Sequence, residues 1–168
     1  MDNQQERLEV RLGWLGGAID GEGCVHLSKR YVHKRLTYRP RLVIVNTDQS
    51  FCEEVIDIFN ICKFPHYVCK RYGKTKRTSW SVEIQGLKRL YKALPVIIPY
   101  LISKRQRAEF LLKYIKYRLF LKAKSAIDEK DHVVYLRMRQ YNGTIPLESS
   151  ETIRTTHLDI CEDIVRSA

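Results

Sequence analysis

The sequence predicts an α+β domain, one antiparallel sheet of four strands with helices laid on one of its faces. Three observations lead there. Two separate stretches alternate apolar and polar residues with period two, each broken by a turn. Each follows a segment whose apolar residues recur at helical spacing. The order helix, strand, strand, helix, strand, strand, helix runs one topology twice, without a detectable sequence repeat. No linker is long or Gly/Ser-rich enough to set off a second domain. Residues 1–168 are therefore expected to form a single domain, with a core over about 5–121 and C-terminal helices over about 128–168.

Gln5 to Asp20 is the first helix, with Leu8, Leu12, Leu15 and Ile19 at helical spacing. Cys24 to Arg30 then alternates, Val25 and Leu27 on a core face and His26, Ser28 and Arg30 on a polar one. After a basic turn around Lys34, the segment RPRLVIVN returns, with Leu42 and Ile44 facing in and Arg39, Arg41, Val43 and Val45 facing out. Asp48 to Phe59 is helical, capped by Thr47 or Asp48. A second hairpin runs from His66 to Tyr72, turns at Gly73 and returns from Ser79 to Ile84. Trp80, Val82 and Ile84 take one face of that last strand, leaving Ser81 and Glu83 on the other. Leu87 to Leu94 is a short helix ended by Pro95. Ser103 is placed to cap a long helix with an apolar face of Phe110, Leu111, Tyr114, Ile115 and Leu119. Lys130 to Gln140 and Ser150 to Val165 are two further helices.

Composition narrows the partners. Hydrophobic residues at 44% with 29% charged are ordinary for a globular chain and exclude a disordered one. The net charge is not ordinary: +11, from 30 Lys plus Arg against 19 Asp plus Glu. Its distribution tells more. Between Glu22 and Asp48 there are six basic residues and no acid, and between Asp57 and Glu83 six more and again no acid, whereas residues 1–22 and 148–168 each hold five acids against two basic residues. One surface therefore carries most of the positive field, and the partner it fits is a polyanion. The open face of the sheet would present His26, Ser28, Arg30, Arg39, Arg41, Arg71, Ser81 and Glu83, with Lys74, Lys76 and Arg77 in the turn beside it. A strand ribbon fits the DNA major groove, where Arg forks onto guanine. Val43 and Val45 could touch thymine methyls there, or owe their place to strand propensity alone.

Five cysteines form no CxxC or CxxH spacing, so reduced thiols and no zinc site are expected. Apolar runs fall far short of a membrane span, and the start MDNQQERLEV has neither secretion nor transit character. The expectation is a cytoplasmic protein, working on nucleoid-type DNA, with no membrane partner.

The stretch Leu12 to Gly23, LGWLGGAIDGEG, is the one that packing alone does not explain. Gly13, Gly16 and Gly17 fall at i, i+3 and i+4, a bare helix face that costs about 1 kcal/mol per glycine against alanine. Close approach of another backbone is the return expected for it. Asp20 and Glu22 stand where the helix stops, at the negative end of its dipole, an arrangement unfavourable by about 0.3 to 1 kcal/mol. A bound cation reverses that sign, and carboxylate oxygen beside free carbonyls is the ligand chemistry of a hard divalent ion. A solvated acidic turn is the alternative reading of the same residues.

Leu15 to Gly23, LGGAIDGEG, resembles the signature of the LAGLIDADG homing endonucleases, and Trp14 and Cys24 to Leu27 fit its helix-to-strand context. Glu replaces the commoner Asp at the ligand position, and Gly16 replaces Ala. The motif occurs once, which in that family implies a homodimer whose two motif helices pack through small residues. The resemblance implies an αββαββα core with a saddle-shaped sheet over duplex DNA, and double-strand cleavage by phosphodiester hydrolysis at a long, near-palindromic site. It further implies intron-encoded origin, Mg²⁺ held by Glu22 with the Gly21 carbonyl, and no small-molecule cofactor. Gly13, Gly16, Gly17 and Asp20 would lie at the dimer interface. Asp48 matches the position that holds solvent near the metal, and Lys104 the basic residue that stabilises charge at the scissile phosphate, so Glu22, Asp48 and Lys104 are the catalytic candidates.

Two other readings compete. One keeps the fold and the DNA surface without chemistry, as a sequence-specific binder or an RNA-splicing maturase. The other is a nonspecific nucleic-acid-binding or ribosome-associated basic protein, with steep salt dependence and no site preference. Charge alone supports the last, and charge does not explain the glycine face.

Overall fold

The computed structural model describes residues 3–72, 78–121 and 127–143. Helix α1 (Asn3–Glu22) runs without a break into the hairpin β1 (Gly23–Val32) and β2 (Arg35–Asn46). Helix α2 (Gln49–Ile61), strands β3 (Tyr67–Tyr72) and β4 (Thr78–Gln85) and helix α3 (Leu87–Ile97) repeat the theme. A 3-10 turn (Ile98–Tyr100), helix α4 (Arg105–Phe120) and helix α5 (Glu129–Tyr141) follow. The sheet order is β1-β2-β4-β3, antiparallel throughout, so the second strand of each hairpin is central and the first lies at an edge.

Local chemistry fixes these elements. The β1–β2 hairpin closes on two residues, His33 (φ 48°) and Lys34 (φ 63°), both left-handed as the twist of a two-residue hairpin demands. Asp48 caps α2, its Oδ1 accepting from the Phe51 amide at 3.2 Å. The other end of α2 stops on Lys63 (φ 55°), with the Phe64 amide on the Phe59 carbonyl (2.8 Å) and the Lys63 amide on that of Asn60 (3.0 Å). The Phe59 and Phe64 rings, 6.0 Å apart, supply the apolar contact that goes with this termination.

Alternation along the strands puts Val25, Leu42, Ile44, Val82 and Ile84 on the helix side, all at most 1% exposed. They pack with Leu15, Ile19, Ile58, Phe59, Leu90, Leu94 and Ile115 into the core. Helix α5 is pinned to α4 by a buried carboxylate: Asp131 accepts from Tyr114 Oη (2.6 Å) and Arg118 Nη1 (3.1 Å) and closes a capping box with Asp128. Burial and that carboxylate push the Tyr114 hydroxyl far above its ordinary pKa. Along the β1 edge, Tyr38 Oη and His132 Nδ1 share a 2.8 Å hydrogen bond, and Asn142 Nδ2 donates to the Val25 carbonyl at 3.4 Å.

Two sequence expectations are corrected. Pro95 does not end α3, which runs on to Ile97. Proline removes the hydrogen bond to Tyr91, but Tyr91 and Pro95 are exposed, so the freed carbonyl is on the solvent side of the helix, where the loss costs least. Ser103 does not cap α4, which begins at Arg105 with Lys104 in the cap position and no side-chain cap of its own. Helix α5 lies along the β1 edge, where Cys24, His26, Leu27 and Ser28 share a cavity with Tyr135, Met138 and Asn142. The Gly73 turn with Lys74, Lys76 and Arg77, and the helix expected over Ser150–Val165, lie outside the described residues.

Candidate active site

The open face is built from cross-strand rows. Cys24, Val43, Glu83 and Tyr67 form one; His26, Arg41 and Gln85 the next; Ser28 and Arg39 a third; Val45, Ser81 and Cys69 lie on the other side, with Ser79 and Arg71 beyond. Arg30 and Arg71 are exposed. Ser81 and Glu83, expected among the DNA contacts, form the floor instead, at 2% and 9% exposure. Glu83 holds Arg41 in a fork, Nε donating to Oε1 at 3.2 Å and Nη2 to Oε2. A carboxylate pairing of this kind fixes the plane of the guanidinium before any ligand arrives. Arg39 Nη1 donates to Gln85 Oε1 at 3.3 Å, and Ser28 Oγ to the Arg39 carbonyl at 3.0 Å. His26 is held below its ordinary pKa by burial and then by the Arg41 charge, and its Nδ1 is a buried atom without a protein partner.

The end of α1 carries the second half of the site. Glu22 is its last residue and is exposed. The chain turns into β1 so sharply that a Cβ on Gly23 would stand 2.7 Å from the Ile19 carbonyl, which restricts that position to glycine. Asp20 reaches across to the approach of α4: its Oδ2 accepts from the Ile102 (2.6 Å) and Ser103 (3.1 Å) amides and its Oδ1 from that of Lys104 (2.9 Å). Lys104 Nζ returns the contact, donating to the carbonyls of Ile19 (2.9 Å) and Asp20 (2.5 Å). The end of α1 thus has a cation on its carbonyls, the favourable sign there, while Asp20 places an anion on the amides that lead into α4.

Burial raises the Asp20 carboxyl, but the three amides outweigh it and leave the group below its usual range. Burial and then the neighbouring Arg107 charge lower Lys104, against the pull of Asp20, Cys24 and Glu22. Arg107, on the same face of α4, ties in α5 by donating to Asn142 Oδ1 (2.6 Å) and to the Tyr141 carbonyl.

The structure divides the three glycines that sequence spacing groups together. Gly13 and Gly17 open outward, with nothing within 4 Å of where a Cβ would sit, and Gly21 continues their line toward Glu22. Exposed Val10 and Trp14 flank them. Gly16 is turned inward: a Cβ there would lie 2.2 Å from the Tyr100 carbonyl of the same chain, so its small size serves the 3-10 turn rather than an interface between copies. Asp20, also expected at that interface, has its carboxylate taken by residues 102–104.

Among the described residues no three His, Cys, Asp or Glu side chains gather into a metal site. What one chain offers at the end of α1 is one exposed carboxylate, Glu22, next to the Gly21 carbonyl. That is hard oxygen chemistry of the kind Mg²⁺ uses, with waters and substrate phosphates completing its shell. Arg107, Asn142, Lys88 and Arg89 did not stand out in the sequence; the spacing of Arg107 three residues after Lys104 was the available signal for one of them.

No family model matches the sequence, and no curated protein sequence matches it. Solved structures do. The homing endonuclease I-CvuI in complex with its target superposes at TM-score 0.64 with 18% identity, over 92% of this chain and 97% of that one. The LAGLIDADG homing endonuclease I-GzeII in complex with its DNA target gives 0.58 and 18% over 81% of this chain but only 45% of that one, and I-SmaMI bound to cleaved DNA gives 0.56 and 17% over 89% and 48%. A four-stranded antiparallel sheet with five helices among the described residues, the first of them ending in LGGAIDGEG, thus has the fold of the LAGLIDADG homing endonucleases.

Proposed function

We propose that two copies of this chain form a site-specific DNA endonuclease of the single-motif type, hydrolysing one phosphodiester in each strand of a duplex. One observation carries the reading. Helix α1 leaves Gly13, Gly17 and Gly21 bare on its outer side and ends on exposed Glu22, where the basic open face begins. A second α1 laid along that line brings two carboxylates together, one for each strand. The half-length overlap with I-GzeII and I-SmaMI supports a site completed by a second copy.

Glu22 and the Gly21 carbonyl hold Mg²⁺, which when bound supplies positive charge for the phosphate oxygens and acidifies water. Asp48, with one oxygen on the α2 amide, orients solvent with the other. Lys104 keeps the α1 carbonyl end neutralised and adds positive charge beside the phosphate. Arg41, its plane set by Glu83, and Arg39, Arg30, His26 and Arg71 line the groove-facing surface. A two-fold protein reads an approximately palindromic site. No small-molecule cofactor is required.

The test is selection of cleaved sites from a random duplex library with purified protein and Mg²⁺, followed by Glu22→Gln on the recovered site. The variant binds that site within about threefold of wild type and cuts at least about a thousandfold more slowly. Equal cutting by the two would remove Glu22 from the chemistry. A second reading, a site-specific binder or splicing helper that does not cut, is favoured by one observation: the Lys104 ammonium is occupied by helix carbonyls. Tight, site-selective binding with no metal-dependent cleavage by wild type would select it.

A further inference from the structure

Beyond the face already described, the positive charge extends to a cavity of about 390 Å³ at the junction of β4 and α3, lined by Arg39, Tyr67, Gln85, Gly86, Lys88 and Arg89 among others. Three of these are cations and none is an anion. Their placement runs against local electrostatics. Lys88 and Arg89 fall in the first turn of α3, which has no acid and no side-chain cap on Gly86, so two cations sit at the end of a helix whose own dipole is already positive. Arg89 is held there without neutralisation, its Nη1 donating to Tyr67 Oη and its guanidinium 4.8 Å from the centre of the Tyr67 ring. Arg39 comes in from the open face, its partner being the neutral Gln85. A concave cluster of like charges, with no acid among its lining residues, is complementary to a phosphate.

The location selects which phosphate. The Gly86 amide bonds to the Pro40 carbonyl, and Pro40 lies opposite Leu27, four residues along β1 from Gly23 and the α1 end. The cavity is therefore displaced by about 13 Å along the strand direction from the Glu22 end of the face. We propose that Arg39, Lys88 and Arg89 form a clamp for a backbone phosphate of the bound duplex, outside the cleaved bond, fixing the register of the sheet in the groove without reading sequence. This rests on the duplex-binding reading above.

Counterion release gives the test. Wild type, Lys88→Gln and Lys88→Gln/Arg89→Gln are titrated with the duplex recovered by selection and with a random-sequence duplex of equal length, in Ca²⁺, from 50 to 300 mM salt; Lys113→Gln, on exposed α4 surface, is the control. A phosphate clamp predicts that the double variant loses about tenfold or more in affinity for both duplexes alike. The slope of log K against log salt falls by about one per lost contact, and the selected sequence is unchanged. Exposed Lys88 alone gives a smaller loss of the same kind and keeps the test free of any folding defect at Arg89. Unchanged affinity and slope in both variants, with a wild type that binds and cuts, overturns the clamp alone, as does a loss confined to the selected duplex, which would make these residues base readers. Failure of wild type to bind either duplex overturns the clamp and the parent reading together.

Discussion

Asp20 shows how far a residue's neighbours in space can differ from those in sequence. Its carboxylate holds three amides that lie 82 to 84 positions away, and the Lys104 ammonium holds the carbonyls at its own helix end. Asp20→Asn removes the charge from three charge-assisted bonds, and urea unfolding should show a loss of about 1 to 3 kcal/mol. The pH dependence has a definite sign. A carboxyl whose folded pKa is depressed contributes stability that is fully present above its unfolded value near 3.9 and lost as pH falls through the folded value. Wild type should therefore lose stability below about pH 4 more steeply than Asp20→Asn, and parallel acid limbs would show that the amides do not lower this group.

At the scale of elements, periodicity and turn chemistry locate most of what is present. Alternation in Cys24 to Arg30 and in the segment RPRLVIVN assigns Val25, Leu27, Leu42 and Ile44 to the core, and all four are buried. Asp48 is legible as a cap because a cap acts on amides three residues away. The start of α4 is not legible in the same way, since its amides are held by another helix. Sequence spacing could also not divide the glycines, because which side of α1 meets the 3-10 turn is decided by where residues 98–100 land. Substitution separates the two sides. Gly16→Ala drives a methyl into the Tyr100 carbonyl and should cost about 1 to 3 kcal/mol. Gly17→Ala, facing open space, should stabilise the isolated helix by up to about 1 kcal/mol. Gly17→Leu should stay folded yet sediment as a single subunit without cutting; a cutting dimer would place the contact between copies elsewhere.

For the whole molecule, the charge pattern was readable and its geometry only partly so. Basic runs free of acids mark the strands of the open face, but Glu83, the acid that ends one of those runs, becomes the partner of Arg41 because alternation on β4 carries it to the same face, in the adjacent row. The proposed assembly makes its own prediction. If each copy contributes one Glu22, hybrids of wild type and Glu22→Gln should nick one strand of the selected site and leave the other intact, visible as open-circular plasmid. Intact plasmid or double-strand breaks alone from the mixture would mean that the two carboxylates do not act on separate strands.

The contacts of Asp20 and Lys104 between the end of α1 and the approach to α4 also bear on how the chain comes together. Contacts spanning more than 80 positions form late, because the loop between them must first be closed. A chain synthesised only as far as β4 already carries the whole of LGGAIDGEG, but neither end of that helix junction has its counterpart. The carbonyl end of α1 acquires its ammonium, and Asp20 its three amides, only when the residues leading into α4 arrive, so the last turn before Glu22 stays unanchored in a half-made chain.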